Sequence, residues 1–379
     1  MTLVAGEVPF FPPDLFEADR EHLLRVVLDV GFDPAQRFIL GPRTAELERL
    51  LCERLGGREV IACGSGTAAL TLVLHAMGVT AGDEVVVPAF GCAPLAATVV
   101  NLGATPVFAD IDPRTLTVDP DEVERVITPR TRVIMPAHIF SIMADMPRLR
   151  RIADRYGVRL LEDSAVGQGA VLDGVPAGCW GDAGVFSFVQ VKSFGMPGEG
   201  GAVVTGDPEL AARVRRLRNH GQDGRTRFLH HEVGYNSRFD EILAAFQIHR
   251  LATFPHRLAR RAEIAEFYTE RFRGLRGVRP PPPGRNGRSY DVYSLLAERR
   301  DALRDHLAAR GIGSHAYYPR PLPAQPAFAP FAPPGARWPH AESACARSLA
   351  IPIYPHLADE QVARIAAAVC EFAREEVQL

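Results

Sequence analysis

The sequence predicts an α/β protein: a mainly parallel central sheet covered by helices, followed by a smaller α+β C-terminal unit. From residue 59 onward, short β-rich apolar runs alternate with helical patterns. Strands that read as continuous apolar runs between helices belong to parallel sheets covered on both faces. The run PPPPG at 280–284 can be neither helix nor central strand, so it marks a junction. A chain of 379 residues also exceeds the roughly 100–200 residues of a usual single domain. A large domain over 1–250 and a smaller one over 251–379 are expected.

VIAC (60–63) reads as a strand leading into a helix from about Thr67 to Met77. DEVVVPAF (83–90), TPVFADI (105–111), RVIMPAHI (132–139) and RLLEDSA (159–165) follow as strands. Between the last two, Leu149, Ile152, Ala153 and Tyr156 share one helical face, and Gly157 stops that helix. AGVFSF (183–188) and GGAVVTG (200–206) are close enough for an antiparallel pair within the same sheet. Helices are then expected over PELAARVRRLRNHG, over Phe239–Leu251 and over Phe254–Phe272. After the junction come YDVYSLLA, the helix RDALRDHLAARG and a final helix around Asp359–Glu375.

The formal charge of −2 supplies no basic field for nucleic acid or an anionic membrane. The N-terminus lacks a basic segment followed by an apolar run, and no stretch approaches about 18 uninterrupted apolar residues. A soluble, cytoplasmic protein is expected. The six cysteines are scattered, with no CxxC pair or His cluster, so neither a metal site nor a disulfide framework is indicated.

The cations are lopsided: of 43 Lys and Arg, 42 are arginine, and the single lysine is Lys192. Arginine serves wherever a positive charge is needed, whereas a desolvated lysine amine can lose its proton and attack a carbonyl. Lys192 lies in GVFSFVQVKSFGMPGEGG (184–201), after an apolar strand and before a glycine-rich turn, with Val191 and Phe194 as apolar neighbours. Ser187 stands five residues earlier. CGSGTAAL (63–70) is a glycine-containing turn from strand to helix, which presents backbone N–H groups to a phosphate; such turns also serve tight packing alone. EDSA (162–165) puts carboxylates at the carboxyl end of an apolar strand, where open α/β sheets bind ligands; an N-cap or loop ion pair is the other reading of Asp163.

In this order, GSGTAAL, DEVVVPAF, ATPVFADIDPRTLTVDP, EDSA, GDAGVFSF…K…GEGGAVVT, RLRNHG, GYNSRFDEILAAF and LAIPIYPHLADEQ resemble the DegT/StrS-type sugar aminotransferases. These are pyridoxal-phosphate-dependent enzymes of the aspartate aminotransferase fold, fold type I, and the resemblance spans about residues 40–372. It implies that Lys192 is the Schiff-base lysine and that Asp163 is the partner of the cofactor's pyridine nitrogen. It also implies that Gly66, Thr67 and Ser187 hold the phosphate. Asn236 matches an asparagine that reaches the phosphate of a neighbouring subunit, so a homodimer with shared active sites is implied. His138 and Tyr318 fit family positions at the substrate site, while Arg225, Arg227, Arg238 and His220 lie in a segment that borders it, either as cationic partners for a nucleotide diphosphate or as part of a solvated, dimer-contacting loop.

The chain departs from the family pattern at several positions. Cys92 stands where an aromatic ring usually stacks on the cofactor, and Phe90 is a candidate substitute. Val166 replaces a glutamine near the ring hydroxyl. Phe140 and Ser141 replace tyrosine and glycine, and Pro323 replaces a histidine. The implied reaction transfers an amino group from glutamate or glutamine to a ketone. The acceptor is a nucleotide-linked 4-keto-6-deoxyhexose or, alternatively, an inosose-type cyclitol. Abundant Ala, Arg, Pro and Gly beside scarce Lys suggest a GC-rich bacterial genome, where enzymes of the family it resembles often build glycosylated natural products; the resemblance implies a role in natural-product or cell-surface sugar biosynthesis. Two rivals have weaker sequence support: a dehydratase of the same fold carries histidine in place of the lysine, and a non-catalytic regulatory protein gives no reason to keep Lys192 and Asp163 in register.

Overall fold

The computed structural model describes residues 7–375 except 13, 36, 227 and 283–287. Arg227 and the end of the 280–284 junction lie outside the described residues. Among the described residues nine strands form the first part: β1 (Glu59–Cys63), β2 (Glu84–Pro88), β3 (Thr105–Ala109), β4 (Thr131–Ile134), β5 (Arg159–Asp163), a small hairpin β6 (Val171–Leu172) with β7 (Val175–Pro176), β8 (Ala183–Ser187) and β9 (Gly201–Thr205). Seven of them make one sheet in the order β1-β9-β8-β5-β4-β2-β3. Only β9 runs against the others, pairing antiparallel with both β1 and β8.

Helices cover both faces because each strand sends alternate side chains to opposite sides. Ile61, Val85, Val133, Leu161, Val185 and Val203 meet α3 (Gly66–Ala76), α4 (Pro94–Asn101) and α7 (Pro208–Arg218) on one face. On the other face, Val86, Ile134 and Leu160 pack on α5 (Pro120–Val126) and α6 (Met146–Tyr156). Val60, Ala62, Phe186 and Val204 pack there on α2 (Pro42–Arg54) and the first part of α8 (Glu241–Phe272). The N-terminal helix α1 (Arg20–Gly31) lies on α8 through Val26, Val30 and Ala245.

A second core lies beneath β10 (Val278–Arg279), β11 (Tyr293–Ala297) and β12 (Ser348–Ile351), an antiparallel sheet in that order. The helices α9 (Arg300–Ala309), α10 (Pro339–Arg347) and α11 (Asp359–Glu375) complete this part. Val8 and the last turns of α8, from Ile264 to Phe272, join its core.

Two expectations about secondary structure need correction. Residues 241–272 form one 32-residue helix, α8, with Pro255 inside it, rather than two helices. Phe246 and Phe254 on one side and Ile264, Tyr268 and Phe272 on the other are anchored in different cores, and that burial outweighs the roughly 3 kcal/mol a mid-helix proline costs. The strand expected over 132–139 stops at Ile134. Pro136 has no N–H for a ladder, and past Ile134 the pairing continues through the Met135 N–H to Val86 O at 2.8 Å and an isolated bridge, Ala137 to Asp163.

Candidate active site

The carboxyl ends of β5 and β8 and the N-terminus of α3 surround one cavity. Gly66, Thr67, Cys92, Asp163, Val166, Ser187 and Lys192 all line it, as do His138 and Tyr318.

At its floor, Ser65 caps α3 by accepting the Ala68 N–H at 3.0 Å. The first N–H groups of α3 have no partner within the helix and sit at its positive end. The backbone comes in close here: a Cβ on Gly66 would stand 2.8 Å from the Ser187 Cβ, and one on Gly201 would stand 2.7 Å from the Gly66 nitrogen. The result is a bare backbone cradle flanked by the Ser187 hydroxyl.

Asp163 ends β5. Its N–H donates to Pro136 O at 2.9 Å, and its Oδ1 accepts the Ala165 N–H at 3.0 Å. Burial pushes its carboxyl up, against the lowering influence of the Ala165 N–H, Lys192 and His138. Its neighbour Glu162 points to the opposite face, as alternation requires. There it accepts N–H groups from Gly178 at 2.9 Å, Trp180 at 2.5 Å and Gly181 at 2.7 Å. His138 Nε2 lies 3.1 Å from Glu162 Oε2, and His138 Nδ1 accepts the Ala144 N–H at 3.3 Å. Both ring nitrogens of His138 are therefore engaged by protein, and with Nδ1 accepting, Nε2 carries the proton toward Glu162.

Lys192 sits on the loop after β8. The Lys192 N–H donates to Val189 O at 2.9 Å, and Lys192 O accepts the Gly195 N–H at 2.8 Å. The turn requires glycine at 195, where a Cβ would lie 2.5 Å from Gln190 O. Phe188, Phe194 and Met196 anchor the loop in the core. Lys192, His138, Val166 and Tyr318 also border a second cavity, lined further by Phe10, Phe11 and Tyr317.

Cys92 is exposed to the cavity though protein surrounds it; this partial burial, and then the charge of Asp163, raises its thiol pKa. Phe90 does not replace the missing ring: β2 ends at Pro88, and Phe90 packs in the core on Phe140 and Tyr318. Tyr318 lies stacked on Phe140 at 6.1 Å, and burial holds its hydroxyl protonated. Asn236 is exposed, with its Oδ1 accepting from Arg238 Nε at 3.1 Å. Asn236, Arg225, Arg238 and His220 do not line the cavity within the single chain. Sequence reasoning passed over Glu162, Ser193 and Asp291, of which only Glu162 gave a sign, as the second carboxylate of EDSA.

A lysine, a buried carboxylate and a backbone phosphate cradle, gathered at the carboxyl ends of a mainly parallel sheet, define a transferase of the aspartate aminotransferase fold. The DegT/DnrJ/EryC1/StrS aminotransferase family matches residues 23–370, and the chain belongs to it. It is 39% identical over 357 residues to dTDP-3-amino-3,4,6-trideoxy-alpha-D-glucose transaminase of Streptomyces venezuelae, covering 94% of this chain and 92% of the relative. It is 40% identical over 336 residues to UDP-N-acetyl-3-dehydro-alpha-D-glucosamine 3-aminotransferase of Acidithiobacillus ferrooxidans, covering 88% and 89%. The crystal structure of S. venezuelae DesV in complex with a ketimine intermediate superposes with a TM-score of 0.93 at 38% identity, covering 97% and 99%. The protein is thus an aminotransferase, and its cofactor is pyridoxal phosphate, which related structures hold in pyridoxal and pyridoxamine forms. The residues present fit that group, because the Gly66 cradle suits its phosphate and the buried Asp163 suits a cationic ring nitrogen.

Proposed function

We propose that the chain moves an amino group from glutamate or glutamine to the keto carbon of a nucleotide-linked deoxysugar, an NDP-4-keto-6-deoxyhexose, in natural-product or cell-surface sugar biosynthesis. The observation that carries this reading is Lys192 and Asp163 on one cavity beside the Gly66–Ser187 cradle. Gly66, Thr67 and Ser187 hold the phosphate, and Asp163 holds a proton on the pyridine nitrogen. Pyridoxal phosphate, when bound, supplies an electrophilic carbon and an electron sink. Lys192 Nζ binds the cofactor and then carries the proton between substrate carbon and cofactor as general base and acid. Val166 and Cys92 border the ring, while His138 orients the cavity wall and Tyr318 covers its mouth.

The protein acts in the cytoplasm as a homodimer in which Asn236 of each subunit completes the other's phosphate site, with Arg225 and Arg238 turned toward the nucleotide. Residues 1–250 form the cofactor unit and 251–379 the smaller C-terminal unit. Among the described residues no helix is long and apolar enough to cross a membrane.

The names of both relatives place the new amine at carbon 3 of the sugar, which favours a 3-keto acceptor as the second reading. Purified protein incubated with pyridoxal phosphate, glutamate and either a dTDP-4-keto-6-deoxyglucose or its 3-keto isomer separates the two, with mass spectrometry of the aminated product as readout. Amination of neither, while glutamate still converts to 2-oxoglutarate, would overturn the nucleotide-sugar reading and leave the cyclitol alternative. Absence of both half-reactions would overturn the catalytic reading.

A further inference from the structure

Asp291 precedes β11 in the C-terminal unit, yet it touches the loop that carries Lys192. Its carboxylate Oδ1 accepts the Ser193 N–H at 2.5 Å. Its own N–H donates to Ser141 Oγ at 2.8 Å, and its carbonyl accepts from Arg261 Nη1 at 3.3 Å. The contact partners are 98, 150 and 30 residues away in sequence. Ser141 and Ser193 are buried, Asp291 is 8% exposed, and Asp291 and Lys192 border the same cavity.

Two features show that this junction is built at a cost in backbone strain. Phe140 and Ser141 have φ of 50° and 63°, left-handed conformations that cost an L-residue about 1–2 kcal/mol each. Glycine would take up such a φ freely, but it has no hydroxyl for the Asp291 N–H. One residue beyond Ser193, Gln247 Nε2 donates to Phe194 O at 2.9 Å from within α8. The two residues that follow the lysine are therefore both gripped, Ser193 by Asp291 and Phe194 by Gln247. A backbone N–H held by a buried carboxylate is a short, charge-assisted bond with little freedom of direction. The Ser193 N–H bond fixes the peptide plane after the lysine and the Lys192 N–H bond to Val189 O holds the plane before it; the two planes together set the line along which the lysine side chain leaves the backbone.

We propose that Asp291, held in place by Ser141, is a positioning residue that sets the approach of Lys192 to the cofactor carbon. The inference rests on the reading of Lys192 as the reacting amine. It ties the lysine to the C-terminal unit, because Asp291 leads into β11.

The test uses the full-length protein with and without pyridoxal phosphate. Hydrogen exchange of the peptide containing Ser193 is measured beside that of β9, and kcat and KM are measured for Asp291→Ala, Asp291→Asn, Ser141→Gly and Lys192→Ala. In Asp291→Ala, exchange at Ser193 is expected to rise about tenfold in the cofactor-free protein while β9 stays protected. With cofactor, kcat is expected to fall roughly 10- to 100-fold with KM nearly unchanged. Asp291→Asn keeps an oxygen for the Ser193 N–H and is expected to recover most of both. Ser141→Gly, which relaxes the backbone but removes the acceptor, is expected to lose part of kcat. Wild-type exchange and kcat in Asp291→Ala would overturn the proposal, as would exchange rising equally at β9. If Asp291→Ala does not fold, Asp291→Asn and Ser141→Gly decide: a kcat for Ser141→Gly equal to wild type overturns it. Turnover by Lys192→Ala would instead overturn the reading of the lysine itself.

Discussion

Gly66 and Ser187 approach so closely that a methyl group on the glycine would stand 2.8 Å from the serine Cβ. Strand β8 and helix α3 meet there without an intervening side chain, which leaves the first N–H groups of α3 open toward the cavity. Gly66→Ala must push β8 and α3 apart, at about 1–3 kcal/mol for such overpacking. Most of that is expected in cofactor affinity, a rise of about tenfold or more in Kd, measured by absorbance titration with pyridoxal phosphate.

Asp163 is expected to make stability depend on both pH and cofactor. Burial raises its pKa, so the folded protein holds this proton more tightly than the unfolded chain does. The sign is then that of a penalty: absent below the unfolded value of about 3.9, growing as pH rises to the folded pKa, and constant above it. Cofactor-free Asp163→Asn, which has no charge to bury, should melt at a higher temperature than wild type at pH 7, with the gap closing as pH falls toward 4. With cofactor the order should reverse, because the aspartate then faces a cationic ring. A gap independent of pH would show that the carboxylate's charge is not the cause.

Replacing Cys92 tests whether the missing ring matters. An aromatic pair contributes about 0.5–1.5 kcal/mol beyond burial, so Cys92→Phe should lower the Kd for pyridoxal phosphate about two- to tenfold. A weaker Kd in this variant, with folding intact, would indicate that the small side chain makes room for the substrate.

Glu162 takes three backbone N–H groups as well as His138. Glu162→Ala strands buried donors at about 1–3 kcal/mol each, so a loss of about 3 kcal/mol or more in chemical denaturation is expected. Glu162→Gln, which keeps one oxygen, should lose less. Activity in this pair should follow stability rather than fall ahead of it, since the carboxylate faces away from the cavity.

The parts of the fold that were legible in the sequence are those where a local pattern met no opposition. β5, β8, β9 and α11 lie where apolar runs, turn glycines and helical periodicity place them, and the β8–β9 pairing follows from the short connection. Lys192 stood out because arginine replaces lysine everywhere else, and Asp163 because it ends an apolar strand. The two departures from expectation each involve a proline, Pro255 and Pro136. The first is tolerated because packing at both ends of α8 outweighs it, and the second ends a strand that the hydrophobic run alone would extend. The Ser141–Asp291–Ser193 contacts could not be read, because they join residues far apart in sequence and no local pattern signals them. Likewise, alternation along β5 implied that Glu162 and Asp163 diverge, but not which one faces the cavity.

The unbroken course of α8 has a mechanical consequence. Phe246 and Phe254 hold one end of the helix in the first core, and Tyr268 and Phe272 hold the other end in the second. Neither core is complete without its share of the same rod. A polypeptide split within this helix would leave each fragment with an open hydrophobic face, so the halves should not survive apart. Heating should melt the whole chain in a single step.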